Sequence, residues 1–194
     1  MLYKLAHILR DKMRWLWDFI EMMNSVLFSW KYGKKVKDFV FSYIPEGYKL
    51  LPIKDISTEK LVEFFDRQPE DAFTYFKPHG FDDKSIKRLQ RNKAFLAYVL
   101  MDKSNEQITG YCFNRSFFHG TGFRGRMVDV SYRNKGLGTA MNKILNDLGF
   151  GIGLRLYESV SKDNVASYKS AISASQIKIL KEMPNNEILL EILP

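Results

Sequence analysis

The segment "MVDVSYRNKGLGTAMNKIL", residues 127–145, constrains this chain most. A short apolar run reaches Val128 and Val130, an arginine follows at 133, and glycines stand at 136 and 138. Leu137, Met141, Ile144, Leu145 and Leu148 then recur at helical spacing. The pattern predicts a strand that passes through a sharp glycine turn into a helix with open N–H groups at its start. Glycines let a phosphate approach the backbone there, and the helix dipole favours negative charge at that end. Spacing excludes two common phosphate loops. A dinucleotide fingerprint needs a third small residue where Met141 stands, inside a βαβ unit. A Walker loop needs four residues between its glycines and then Lys-Ser/Thr, which "GLGTAM" lacks. An ordinary glycine turn before a helix stays open as the plainer alternative.

The flanking sequence decides the fold class. "YKLLPI" from Tyr48 reads as a strand, and "STEKLVEFFDRQ" and "DDKSIKRLQRN" as helices, the first opening on a Ser/Thr cap. Between them, "PEDAFTYFKPHGF" is an aromatic loop broken by prolines. "AFLAYVLMD" and "QITGYCFNRSFF" form a hairpin across "KSNE", and "GFRGRMVDV" leads into the glycine turn. After the helix over residues 136–148 come the strand "LRLYESVS", the helix "NVASYKSAISA", and a hairpin of "QIKILKEM" and "EILLEIL". The order β-α-α-β-β-β-α-β-α-β-β gives an α+β fold: a mixed, mostly antiparallel sheet with helices on its faces.

Residues 1–44 are set apart as an N-terminal amphipathic helix with a basic linker, and residues 45–194 as the main domain. Residues 2–31 read as one helix, stopped by Gly33 and followed by Lys34, Lys35 and Lys37. Two uses of this helix stay open. It packs on the body or on a second copy of the chain, or it lies on an anionic membrane surface. Trp15, Trp17 and Trp30, with eight basic against four acidic residues before residue 45, suit the membrane. Arg14, Asp18 and Glu21 inside its apolar stretch exclude a transmembrane span. No cleavable signal pattern is seen, so the expected location is cytoplasmic or membrane-peripheral.

The net charge of +8 favours polyanionic partners such as a phosphorylated cofactor. Its basic residues are dispersed and no reading motif occurs, so nucleic acid is not expected, and neither is a metal. The lone Cys112 lies in an apolar run, which fits a buried thiol in a reducing compartment.

"VDVSYRNKGLG" resembles motif A of the GNAT superfamily, the Gcn5-related N-acetyltransferases, at Val128, Arg133, Gly136 and Gly138. "NVASYKS" is similar to the family's motif B at Asn164 and Ser167, and the terminal hairpin agrees. The likeness covers roughly residues 46–194. It implies a sheet splayed at its central strands, with acetyl-CoA as co-substrate in the gap. Backbone groups around Val128 and Val130 would pair with the pantetheine arm. The amides of Asn134, Lys135, Gly136, Leu137, Gly138 and Thr139 would hold the pyrophosphate, with Arg133 and Lys135 adding positive charge. Asn164 would bond the arm and Ser167 would lie near it.

Two departures from the family pattern stand out. The tyrosine that many members carry seven residues after the motif-B Asn, as proton donor to the leaving thiolate, is Ala171 here, with Tyr168 one turn earlier. The usual Gly-Phe after that helix is Ser175-Gln176. Three residues are candidates for proton removal. Glu158 shares a strand face with Leu156 and Val160, where a carboxylate needs a partner or a job. Asp129 follows the pantetheine strand. His79 sits in the aromatic loop and titrates in a useful range. Phe73, Tyr75, Phe76 and Phe81 of that loop either floor an acceptor pocket or fill the core.

The resemblance implies an N-acetyltransferase acting on a primary amine. The aromatic loop and surplus positive charge favour a small-molecule acceptor, such as an amino sugar or a nucleotide-linked amino sugar. A protein or peptide N-acetyltransferase stays open, as does a non-catalytic coenzyme A-binding module docked through the N-terminal helix.

Overall fold

The computed structural model describes residues 14–183 and 186–194. The first part of the expected N-terminal helix, including Leu2, Leu5, His7 and Leu9, lies outside the described residues. Helix α1 spans Arg14–Lys37 and runs straight through Gly33, where a stop was expected. A glycine inside a helix is worse than alanine by only about 1 kcal/mol. Beyond it, Val36 packs on a buried cluster that holds Phe28 and Tyr32, and Lys35 Nζ donates to the Ile152 carbonyl at 3.3 Å. Packing on both sides of Gly33 outweighs the local preference.

The remaining elements follow the order read from the sequence: β1 (Tyr48–Pro52), α2 (Thr58–Asp66), α3 (Asp83–Arg91), β2 (Phe95–Asp102), β3 (Ile108–Phe117), β4 (Thr121–Val128), α4 (Leu137–Ile152), β5 (Arg155–Ser161), α5 (Val165–Ala174), β6 (Gln176–Met183) and β7 (Glu187–Leu193). They build a seven-stranded sheet in the order β1-β2-β3-β4-β5-β7-β6. Every neighbouring pair is antiparallel except β4 and β5, which run parallel and share only the rungs Thr121–Arg155, Gly122–Leu156 and Phe123–Tyr157. Beyond Phe123 the two strands part. The gap opens in mid-sheet, at the point where the glycine turn leaves β4.

Side chains alternate to the two faces of the sheet. Tyr111, Phe113 and Met127 join Leu61, Phe64, Phe65 and Ile86 in a core under α2 and α3. On the other face Leu96, Leu156, Leu190 and Ile192 meet Phe28 and Tyr32 of α1 and Leu148 and Ile152 of α4. Residues of α1 and of the segment after residue 45 therefore share one core. Cys112 is buried beside Met141 and Leu145, and burial pushes its thiol up to about 12.

Three helices start on side-chain caps. Ser57 accepts from the Lys60 amide, Asp82 from Ser85, and Asn164 from Ser167. Helix α4 starts differently: its N-cap is Gly136, with no side chain to close its first amides and no acidic residue in its first turn.

The contrast between the two faces of α1 gives a stability prediction. Phe28 is fully buried, so Phe28→Ala should destabilise the chain by about 3 kcal/mol or more in urea unfolding. Exposed Trp30→Ala should change the unfolding free energy by no more than about 0.5 kcal/mol.

Candidate functional site

A cleft of about 660 Å³ lies along the gap between β4 and β5. The stretch Arg124–Val128 forms one wall, Glu158 and Ser159 of β5 the other, and Asn164, Ser167 and Ser170 of α5 close one side. Its far end is the turn from Tyr132 to Thr139, and Asp71, Tyr75 and Phe76 of the aromatic loop stand over it.

The turn owes its shape to two left-handed residues, Asn134 (φ 61°) and Gly136 (φ 76°). Glycine adopts such a φ at little cost, and asparagine more readily than most residues. Together they bend the chain so that α4 begins at the cleft. The leading amides of a helix have no acceptor within the helix, and its dipole leaves positive potential there. Gly138 lets α5 approach, since a Cβ at that position would stand 3.2 Å from Ser170 Oγ. Arg133 and Asn134 line the cleft, whereas Lys135 lies over the Tyr132 ring, 4.6 Å from its centroid.

Deeper in the gap lies a charged cluster that sequence reading did not find. Arg124 Nε donates to Glu158 Oε2 and Arg126 Nη1 to Glu158 Oε1, both at 2.6 Å, with all three side chains buried. Burial alone would raise the Glu158 pKa. The charges of Arg126 and Arg124 overcome it and hold the carboxyl below its ordinary value. Arg126 also reaches α5, donating to the Ser167 carbonyl at 2.9 Å and its Oγ at 3.2 Å. Arg124 Nη1 donates to Asn146 of α4, while its Nη2 is buried without a partner among the described residues. Two guanidiniums and one carboxylate leave a net positive charge on the cleft floor.

The other sequence candidates sit elsewhere. Asp129 is buried outside the cleft lining and accepts from Arg67 Nε at 2.8 Å, Gln68 Nε2 at 3.0 Å and the Ser131 amide at 2.9 Å. Burial opposes its charge, but these hydrogen bonds hold its carboxyl below the usual range. The Val130 amide donates to Gln68 Oε1 at 3.1 Å, and Val130 belongs to a 3-10 turn outside the lining. Val128 does line the cleft, as do Gly136, Leu137, Gly138, Thr139, Asn164 and Ser167. Asn164 spends its side-chain oxygen on the α5 cap, 3.1 Å from the Ser167 amide.

His79 lies in the aromatic core, its ring 4.9 Å from that of Phe81 and 5.7 Å from those of Phe95 and Tyr111. Nδ1 donates to the Gly80 carbonyl at 2.8 Å, so Nε2 accepts from the Tyr111 hydroxyl at 2.9 Å. Burial lowers its pKa to about 4. Phe73, Phe76 and Phe81 pack on the same core, so the loop is in part core and in part cleft wall. Ala171 is buried, and Tyr168 packs on the cluster around it and does not line the cleft. Among the described residues no group of His, Cys, Asp and Glu is arranged to hold a metal ion.

No family model and no curated protein matches this sequence. Solved structures match it in fold. The chain is similar to the GNAT domain of S. lividans PAT, at 13% identity over 75% of this chain and 89% of that one, with a TM-score of 0.65. It is similar to the ribosomal-protein-S5-alanine acetyltransferase of Vibrio fischeri, at 16% identity over 79% and 95%, with a TM-score of 0.65. It is also similar to AAC(6')-Ib in complex with paromomycin and acetyl-CoA, at 15% identity over 76% and 93%, with a TM-score of 0.55. The chain therefore has the GNAT acetyltransferase fold.

The environment of His79 sets a pH dependence. The unfolded chain protonates this imidazole near 6.5, the folded chain only near 4. The unfolded state thus gains the proton first as pH falls. Stability contributed by neutral His79 is complete above pH 6.5 and is lost between about 6.5 and 4, by at most about 1.4 kcal/mol per unit. Urea midpoints for His79→Gln should show a shallower loss than wild type between pH 7 and pH 5.

Proposed function

We propose that this protein transfers an acetyl group from acetyl-CoA to the primary amine of a small molecule. One observation carries the reading: the uncapped start of α4 and the opening between β4 and β5 belong to one continuous cleft. Amides at the start of α4, with Arg133 beside them, are the cradle for the pyrophosphate. The free edge of β4 up to Val128 pairs with the pantetheine arm, and the thioester comes to rest near Arg126.

The amine nitrogen attacks the thioester carbonyl, the C–N bond forms, the C–S bond breaks, and coenzyme A leaves as thiolate. Holding the two reactants in line supplies much of the rate. With Ala171 in place of a tyrosine, the leaving sulfur is stabilised by charge instead of a proton. The Arg124–Glu158–Arg126 cluster is cationic and already oriented, so it favours a thiolate without reorganising. Of the three candidate bases only Glu158 lines the cleft, and its two guanidinium partners make it a weak base. No histidine or cysteine lines the cleft among the described residues. The amine therefore enters in its neutral form and releases its proton to solvent.

Tyr75 and Phe76 over the cleft suit a ring-shaped acceptor, Asp71 suits its amine, and Lys169 with Arg133 suits a phosphate. An amino sugar, free or nucleotide-linked, combines these features. AAC(6')-Ib with its bound paromomycin supports a small acceptor, while the Vibrio fischeri enzyme names a protein acceptor on the same fold. A coenzyme-binding module without turnover is the second reading, favoured by the missing tyrosine.

Titration with acetyl-CoA should release heat, and Gly138→Ala should weaken binding about tenfold, or roughly 1.4 kcal/mol. Thiol release should follow with an amino-sugar panel and not with peptides. Heat without thiol from any amine would select the module, and thiol with peptides alone would select a protein acceptor. Because no histidine or cysteine lines the cleft among the described residues, kcat/KM should rise with pH along the ionisation of the acceptor amine. Arg126→Met should lower kcat about a hundredfold or more, the scale of removing one preorganised donor.

A further inference from the structure

Helix α1 has two apolar faces. Phe28 and Tyr32 enter the core, yet Trp15, Phe19, Met22, Met23, Val26 and Trp30 are all exposed. At 3.6 residues per turn these six fall within about 100° of arc, on the side opposite Phe28 and Tyr32. Trp30 is 87% exposed, Trp15 70% and Val26 60%, far beyond what a polar-faced surface helix shows. Lys34 and Lys37 continue the same stripe at its C-terminal end and are exposed. The two acidic residues of α1 lie off the stripe, and Asp18 is paired with Arg88 at 2.8 Å.

We propose that this stripe docks the protein on an anionic lipid bilayer, with α1 lying in the plane of the interface. A large apolar patch that no described residue covers marks an interaction surface. Its charge selects the occupant. A two-fold dimer must match the stripe with itself, and among the described residues the stripe carries no carboxylate to receive the lysines of either copy. A surface of anionic headgroups supplies those charges, and tryptophans near both ends are suited to the headgroup level. None of the described helices is long and apolar enough to cross the membrane, so the helix lies on the surface. This inference stands apart from the acetyl-transfer reading and uses none of its residues.

Flotation of the full chain with two sets of vesicles tests it: phosphatidylcholine alone, and phosphatidylcholine mixed with phosphatidylglycerol. Binding is expected to the mixed vesicles and to fall with added salt. Lys34→Gln with Lys37→Gln should lower the partition coefficient about thirtyfold, from the attraction of each lysine to an anionic surface. Phe19→Ser with Trp30→Ser should lower it about a hundredfold. Both variants change exposed side chains, and unaltered thermal melts would show that they fold. Failure of the wild type to float with mixed vesicles, or equal flotation of wild type and both folded variants, overturns the proposal. So does a concentration-dependent dimer in sedimentation velocity that is abolished by Trp30→Ser while no vesicles are bound.

Discussion

Everything at the centre of this molecule depends on how two parallel strands are allowed to separate. β4 and β5 share three rungs and then diverge inside a seven-stranded sheet, where a break leaves backbone groups and buried side chains without partners. The carboxylate of Glu158, held from β4 by Arg124 and Arg126, keeps the opening at a fixed width. Buried ion pairs earn little net stability, because removing three charges from water opposes their mutual attraction. What this one provides is geometry: Arg126 also bonds α5 and Arg124 also bonds α4, so both helices are fixed relative to the opening.

The second constraint acts on the turn. Asp129 and Gln68 form a polar clamp in which Arg67 and Gln68, at the end of α2, hold the segment just after β4. Gln68 accepts the Val130 amide and donates to Asp129 and to the Phe64 carbonyl, so one side chain satisfies three backbone or carboxylate groups. The glycine turn can then take its left-handed bends without the loop wandering. Rigid support on one side and two permissive residues on the other place the start of α4 at the end of the cleft.

The order of strands and helices could be read from periodicity, since each amphipathic segment had a face to bury, and the glycine turn could be read from its spacing. Side-chain partners could not. Glu158 was legible as a carboxylate in need of a partner, but the two arginines lie 34 and 32 residues away. Only the register of β4 against β5 shows that their shared face meets it. The period-two pair Arg124 and Arg126 in "GFRGRMV" was the available signal, because a strand this apolar seldom buries two cations without an anion. His79 and Asp129 looked like titratable groups near a site. Their partners Tyr111 and Gln68 come from other elements, and those contacts make them a core histidine and a clamp. Gly33 misled for the opposite reason: its local preference was read correctly, and tertiary packing overrode it.

The three charged groups at the floor of the cleft also limit how the gene can drift. Losing Glu158 strands two buried cations, a defect of about 3–5 kcal/mol, whereas losing either arginine leaves the other paired with Glu158. A fully apolar trio in their place would remain tolerable. Descendants of this chain should therefore lose Glu158 only together with the two arginines it neutralises, while either arginine alone is free to change without stranding an ion.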